Sequence, residues 1–418
     1  MRRTPRRLVG VLIAVAALMA VIPASANALG FGSLTAAPTN LQAGAHSNFN
    51  ITIPLTSPAD DIKNLTIGLP PGEVGDPNAA PFCSVTDLNS DACPSNTIVG
   101  TASTAVNVII VAGLIQVPLT VNGNVYNVTP HAGEPARFGI VLHSLPVTVP
   151  VLGAIVLPPI ILQSGVQLRQ SDFGLDTVVQ NIPNTATVLP GVTVPIDVTQ
   201  LSLGLDGTAP GTGRPFLRNP TSCDLHTTHF RATSYSGSTT TTPATGSASF
   251  TPTGCANEDF SPSFSAEVGG PGQDANGDPT TAITAIDQDP DEAGLLNARV
   301  FVPTQDVAPN LNIFGNTCAP ADFQAGSCPT ISIVGAALAS SPLLSQPLIG
   351  NVMLVQSGGT FPNIGLDLKG QLHLLLQGSL GLDSSVTFNG LPDIPIAHFQ
   401  LAFLPDPGML LANRDLCA

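Results

Sequence analysis

The sequence predicts an all-β protein built as two tandem disulfide-stapled β-sandwich-like modules, the second a truncated copy of the first. Three observations carry that expectation. The stretch Cys83–Gly100 (CSVTDLNSDACPSNTIVG) recurs as Cys318–Gly335 (CAPADFQAGSCPTISIVG), with the same Cys-x9-Cys spacing, a Pro after the second Cys and the same Ile-Val-Gly ending. Segments around both stretches alternate apolar and polar residues with period two. Finally, 40 Gly and 40 Pro punctuate a chain with only 10% charged and 43% hydrophobic residues, which fits many short strands joined by turns and excludes a disordered chain.

Residues 1–28 read as a secretory signal, with Arg2, Arg3, Arg6 and Arg7 leading an apolar run from Leu8 to Val21 and Ala26-Asn27-Ala28 as the cleavage site. The run is too short to span a bilayer, and Pro23 interrupts its end. Removing it takes away four Arg and no acid, so 13 basic and 28 acidic side chains become 9 and 28, a net charge of about −19. Nucleic-acid binding needs a basic footprint, which this chain lacks. Seven Cys at wide spacing in an exported chain imply disulfides with one thiol left over. Cys-x2-Cys pairs are missing, so zinc is not expected, nor is any other cofactor.

The first module spans 29–256. Phe49, Ile51 and Ile53 alternate with polar residues, as do Leu65, Ile67 and Leu69 before Pro70-Pro71 stops the ladder. The second module, 257–418, repeats both at an offset of 233, as Thr284-Ala285-Ile286 and Asn297 to Pro303. Each Cys loop is expected to close on itself, Cys83 to Cys93 and Cys318 to Cys328. An eleven-residue ring of this kind contributes roughly 2.5–3 kcal/mol of chain entropy. So polar a loop offers few core side chains, and the crosslink is expected to substitute for packing.

Residues 103–128 form a β-branched run whose Asn, Gln and Pro argue against a membrane helix; Asn122-Gly123 signals a turn between two strands. Its close recurs as Gly350 to Val355. Residues 138–162 are apolar and cut by Pro146, Pro150, Pro158 and Pro159, which excludes a helix. A buried sheet face is expected there, with a lipid-facing ribbon as the alternative. Val194–Leu201 matches Ile394–Leu401 at an offset of 200 as the exit strand. Beyond it, Cys223 and Cys255 flank a Thr/Ser-rich hairpin, Thr227 to Thr253, and are expected to pair across a 33-residue ring worth about 3.5 kcal/mol. Cys417 is the counterpart of Cys223 and is expected to be a free or intermolecular thiol.

These motifs resemble uncharacterised secreted Cys-loop repeat proteins of high-GC Gram-positive bacteria. The resemblance rests on Leu69-Pro70-Pro71-Gly72, Asp76-Pro77-Asn78, Cys83 to Thr101, Gly123 to Tyr126, Pro135-Ala136-Arg137-Phe138-Gly139, Asn219 to Cys223 and Phe250 to Cys255. It implies a repeated extracellular module and no activity, cofactor or catalytic residue. Members of that group often continue past the position of Cys417 to a matching Cys and further modules.

Candidate sites are sparse. Asp274, Asn276 and Asp278 begin like a calcium loop, but Pro279 stands at the turn position and Ala285 where a bidentate Glu belongs. By the repeat alignment they form a hairpin tip. The acidic run Asp287, Asp289, Asp291 and Glu292 reads as a solvated loop. His226 and His229, three apart on a strand, point to opposite faces. His131 lies near Glu134 and Arg137, and His143 follows, without a Gly-x-Ser-x-Gly elbow. No Trp and two Tyr leave little for a sugar platform. The expectation is therefore an exported, non-enzymatic structural or interaction protein of the cell surface or extracellular space, with a cell-envelope component or protein as partner. The alternative is an envelope glycan- or lipid-binding protein, hydrolytic or not, with membrane association through 138–162.

Overall fold

The structure, a computed structural model, describes residues 29–56, 60–110, 115–149, 153–189, 191–236 and 243–417. The signal segment 1–28 lies outside them. In chain order the first module contains β1 (Thr35–Pro38), β2 (Phe49–Pro54), β3 (Ile62–Gly68), β4 (Val74–Gly75), α1 (Val85–Asn89), β5 (Ile98–Ile110), β6 (Ile115–Asn127) and β7 (Arg137–Ser144). It continues with β8 (Val147–Val149), β9 (Gly153–Ile155), β10 (Ile160–Leu168), β11 (Leu175–Val179), β12 (Thr185–Leu189), β13 (Val192–Leu205), β14 (Leu217–Arg218), β15 (His226–Ser234) and β16 (Ala244–Phe250). The second contains β17 (Ser263–Val268), β18 (Pro279–Thr280), β19 (Ala282–Asp287), β20 (Asn297–Phe301), β21 (Val307–Pro309), α2 (Pro320–Gln324) and β22 (Ile333–Ser340). It ends with β23 (Leu348–Val355), β24 (Asn363–Lys369), β25 (His373–Leu380), β26 (Ser385–Asn389), β27 (His398–Phe403) and β28 (Leu410–Ala412).

The protein is all-β. The first module is one antiparallel sheet in the order β1-β2-β13-β5-β6-β7-β10-β11-β3-β15-β16, with β12 added onto β13. The two facing layers of the core come from this single sheet, which curls until β16 lies beside β1. Phe49 meets Phe250 edge-on at 5.8 Å across the closure, and Phe31 meets Phe230 at 6.3 Å. The alternation read from the sequence sets the inside: Phe49, Ile51, Ile53, Leu65 and Ile67 are all buried.

The second sheet runs β17-β19-β27-β22-β23-β24-β25-β26-β20. Strand by strand, this is the order β1-β2-β13-β5-β6-β7-β10-β11-β3. The registers agree too: Gly123 pairs with Leu142 and Ala102, and Gly350 pairs with Leu368 and Ala337. Counterparts of β15 and β16 are missing among the described residues, so the second sheet stays open between β17 and β20.

Three expectations need correction. Asn122-Gly123 does not turn the chain; both residues lie inside β6, and the hairpin reverses between Ile110 and Ile115. Glycine is needed at 123 because the strands approach closely: an added Cβ would sit 2.9 Å from the Cα of Leu142. The exit strands β13 and β27 align at an offset of 198, not 200, because Leu201 pairs with Ile53 and Phe399 with its counterpart Ile286. A two-residue slip preserves the inside–outside alternation, which is why the sequence match misled. Last, the Cys loops are anchored by packing as well as by crosslinks. Leu88 of α1 is fully buried over Gly139, and Phe323 of α2 over the equivalent Gly365. Ser84 caps α1 by accepting a hydrogen bond from the Asp87 amide, and Pro320 opens α2.

The structure joins Cys83 to Cys93, Cys223 to Cys255 and Cys318 to Cys328, with Cα separations of 5.5, 6.0 and 5.2 Å, and leaves Cys417 exposed. No helix among the described residues is long and apolar enough to cross a membrane. Within 138–162, β7 and β10 pair with each other as part of the first sheet, while β8 and β9 form a separate hairpin between them.

Candidate functional site

The residues singled out by their chemistry are mostly held by one another. In the Asp274–Asp278 tip, the Asp278 carboxylate accepts from the Ala275 amide and the Gly277 amide donates to the Ala412 carbonyl, which makes it a turn. Among the described residues, no group of three or more His, Cys, Asp and Glu is placed to hold a metal ion. His226 is buried and stacks on Phe250 at 5.8 Å, whereas His229 faces outward, opposite Ser247. His143 meets Asp91 at 2.7 Å, and His398 meets Asp287 at 2.6 Å.

His131, Glu134 and Arg137 do come together. Arg137 donates to both Glu134 oxygens and lies 2.7 Å from His131 Nδ1. Burial pushes the Glu134 carboxyl up, but hydrogen bonds from Arg137 and the His131 amide outweigh it and hold the group below its usual range. These residues flank an open polar hollow with Gln163, Gln167 and Gln180 on the outer face of the first sheet. Every charge in it is neutralised, and no nucleophile faces it. The interior of the first sheet holds an apolar cavity of about 80 Å³ lined by residues such as Ile51, Leu65 and Leu142. That is well short of the roughly 300–1,000 Å³ of a small-molecule site.

A group not flagged by the sequence is Glu73, just after Pro70-Pro71-Gly72. Its side chain is 1% exposed, neither carboxyl oxygen has a partner, and burial pushes its pKa well above 4.5. The neighbouring Arg218, paired through β14 with β4, turns its guanidinium away to the carbonyls of Asp291 and Glu292. Arg218 thus belongs to the junction between the modules. There Thr221 donates from its hydroxyl and amide to Asp393 at 2.6 and 2.7 Å and accepts from the Gly294 amide at 3.0 Å. Gly72, at φ +87°, leaves room for this contact: a Cβ would lie 2.6 Å from an Asp393 oxygen. The junction is a structural seam held by these bonds, in which Arg218 Nε stays buried without a hydrogen-bond partner.

The second sheet presents an uncovered surface. Where β15 and β16 cover the first sheet, the second presents a groove of about 140 Å³ between β17 and β20. Phe264, Ala266 and Val268 line one wall and Ala298 and Val300 the other, over a floor that includes Phe388 and Leu401. Phe264 is 55% exposed and Val268 41%, and Ala266 between them is exposed too, while Ala36 at the place on β1 equivalent to Ala266 is buried. Strand β20 pairs with β26 on one side and β17 with β19, so each offers a free backbone edge towards the other. At one end of the groove Leu416 packs beside Gly269, the residue after β17, which puts Cys417 at the rim. The absence of a second Thr/Ser-rich hairpin was the sequence signal for this groove; reading it only as a missing cysteine partner overlooked the exposed face.

No family model matches the chain, and no curated protein matches it. A solved structure of a protein provisionally described as membrane-anchored, from Corynebacterium diphtheriae, is similar over 76% of this chain and 89% of its own, at 9% identity and a TM-score of 0.17. A likeness that weak bears on neither fold nor function.

Proposed function

We propose that this chain is an exported, non-enzymatic interaction protein of the cell surface or extracellular space, which engages another polypeptide through the open groove of its second sheet. The observation that carries the reading is the difference between two copies of one fold: the same flank is covered in the first and bare in the second. Exposed apolar faces beside free strand edges are liabilities that folded proteins normally cover, and they are also the surface that β-strand addition uses. Three disulfides belong to an oxidising compartment and support export. The small, apolar interior of the first sheet gives a glycan or lipid no comparable place.

A photo-crosslinking amino acid in place of Phe264 or Val300, in the exporting cell, tests the reading. A discrete adduct from these positions, absent when the probe replaces Leu382 on a distant exposed turn, is the expected result. No adduct, or the same adducts from Leu382, overturns it.

A further inference from the structure

We infer that the polar hollow on the outer face of the first sheet is a further binding site, and that it takes a neutral, hydroxyl-rich ligand, a short uncharged oligosaccharide. Its floor is β10 and β11. Gln163, Gly165 and Gln167 share the outer face of β10, while Ser164 and Val166 between them are buried. Val178 stands opposite Gly165 on β11, and Gln180, Asn181 and Pro183 follow at its end. The hollow encloses about 470 Å³, within the range of small-molecule sites. Both floor strands pair with neighbours on each side, so the hollow offers a polypeptide no free edge to extend.

The state of its polar groups sets the ligand chemistry. Gly165 leaves space in which the Glu134–Arg137 pair lies against the sheet; a Cβ there would come 3.0 Å from the Glu134 carboxyl carbon. Arg137 donates to both Glu134 oxygens and to Gln163 Oε1 at 3.3 Å, and Gln163 donates in turn to Asn89 of α1 at 3.4 Å. Both charged side chains are largely buried. Locked together, they leave no free cation for an anion and no free carboxylate for a cation. The chain as a whole, with 28 acidic and 13 basic side chains, also repels an anion from a distance.

The amides that remain are open. Among the described residues, none bonds the side-chain amides of Gln167, Gln180 and Asn181, which line the same hollow. An amide sets a donor beside an acceptor, and adjacent hydroxyls on a sugar ring present the complement. Ile161, Val178 and Pro183 supply apolar contact for the C–H faces of the ring, in place of an aromatic platform.

The second module shows which of these residues the fold itself needs. By register, Gln163 and Gln180 correspond to Gln377 and Asn389, whereas Arg137 corresponds to Asn363, Gly165 to Ser379 and Gln167 to Gly381. The same three strands therefore form without that ion pair and without an amide at the place of Gln167. The lining of the first hollow is not a requirement of the sheet beneath it.

The experiment follows the side-chain amide resonances of Gln167, Gln180 and Asn181 by NMR in the purified chain. Maltotriose, mannotriose and chitotriose are each added at millimolar concentration, with trigalacturonate and a neutral Gly-Ser peptide as comparisons. At least one neutral trisaccharide should shift all three resonances together and saturably, while the trigalacturonate and the peptide leave them in place. Gln167→Ala and Gln180→Ala each remove a donor and an acceptor, and each should raise the Kd about tenfold. Gln377→Ala in the second module should leave the Kd unchanged, and unaltered backbone resonances in Leu175–Val179 report that the sheet is intact in each variant. No shift with any neutral trisaccharide, binding that survives both substitutions, or an equal response to trigalacturonate overturns the inference. A response to the peptide alone overturns it in favour of a polypeptide ligand.

Discussion

Glu73 gives a sharp test of how the interior is built. Its carboxyl is buried, has no hydrogen-bond partner and no cation directed at it, so burial raises its pKa in the folded protein. In the unfolded chain the same group ionises near 4.5. Below pH 4.5 both states hold the proton, and the group leaves stability unaffected. As pH rises above 4.5 the unfolded chain releases its proton while the folded one keeps it, so unfolding gains and stability falls. The loss is about 1.4 kcal/mol per pH unit for one proton, and it levels off once pH passes the raised folded value. Glu73→Gln removes the ionisation while keeping the shape. The variant should match the parent within about 1 kcal/mol at pH 4 and then pull ahead by that slope through pH 5 and 6. The assay is guanidinium unfolding of both proteins at each pH, because the difference between them cancels every other titrating group. A difference that stays flat with pH, or reverses, would show that Glu73 is ionised in the fold and has found a partner, and the account of this corner as a dry seam would fail.

Other expectations follow from the same geometry. Gly139→Ala would set a Cβ 2.6 Å from Leu88 Cδ2, and Gly365→Ala one 2.7 Å from Phe323 Cε2. Each should cost about 1–3 kcal/mol in chemical unfolding, and Leu88→Ala added to Gly139→Ala should return part of it. Serine at both Cys83 and Cys93 should lower stability by roughly 2.5–3 kcal/mol and speed hydrogen exchange in α1. A loss under about 0.5 kcal/mol would mean that Leu88 alone holds the loop. Thr221→Val strips the Asp393 carboxylate of one donor and leaves the Gly294 amide without an acceptor, at about 1–3 kcal/mol. Proteolysis between the modules should accelerate in that variant, while the Cys83–Cys93 loop keeps its protection.

What the sequence revealed and what it concealed divide along a physical line. Alternation along a strand is local, so the burial of Phe49, Ile51 and Ile53 could be read directly. The Cys pairs could be read because the chain states their spacing twice. Closure of the first sheet could not: β3 sits between β11 and β15, far from each in sequence, and such pairing leaves no local trace. Asn122-Gly123 looked like a turn because glycine serves both reversal and close approach, and only the neighbouring strand distinguishes them. Leu88, with Val85 beside it, and Phe323 are too few apolar residues in polar loops to form a period, yet both anchor a disulfide loop. Glu73 gave no warning at all, since an acid beside Pro-Pro-Gly reads as a surface turn.

The comparison between the copies also explains how the second sheet can hold an empty flank and remain folded. Five fully buried apolar side chains of this sheet, Val352, Leu354, Ile364, Leu366 and Leu368, lie on β23 and β24, in the middle of the strand order and away from β17 and β20 at its ends. In the first module Phe230, Ala232 and Phe250 of the hairpin belong to the core itself. There the hairpin completes a closed structure; here the corresponding face is walled by residues that the rest of the sheet already supports. A groove walled in this way is already ordered, so a strand proposed to add there would not have to order its receptor. Exposed apolar side chains beside free strand edges, on a sheet with its own buried centre, are the observations on which the proposed docking surface rests.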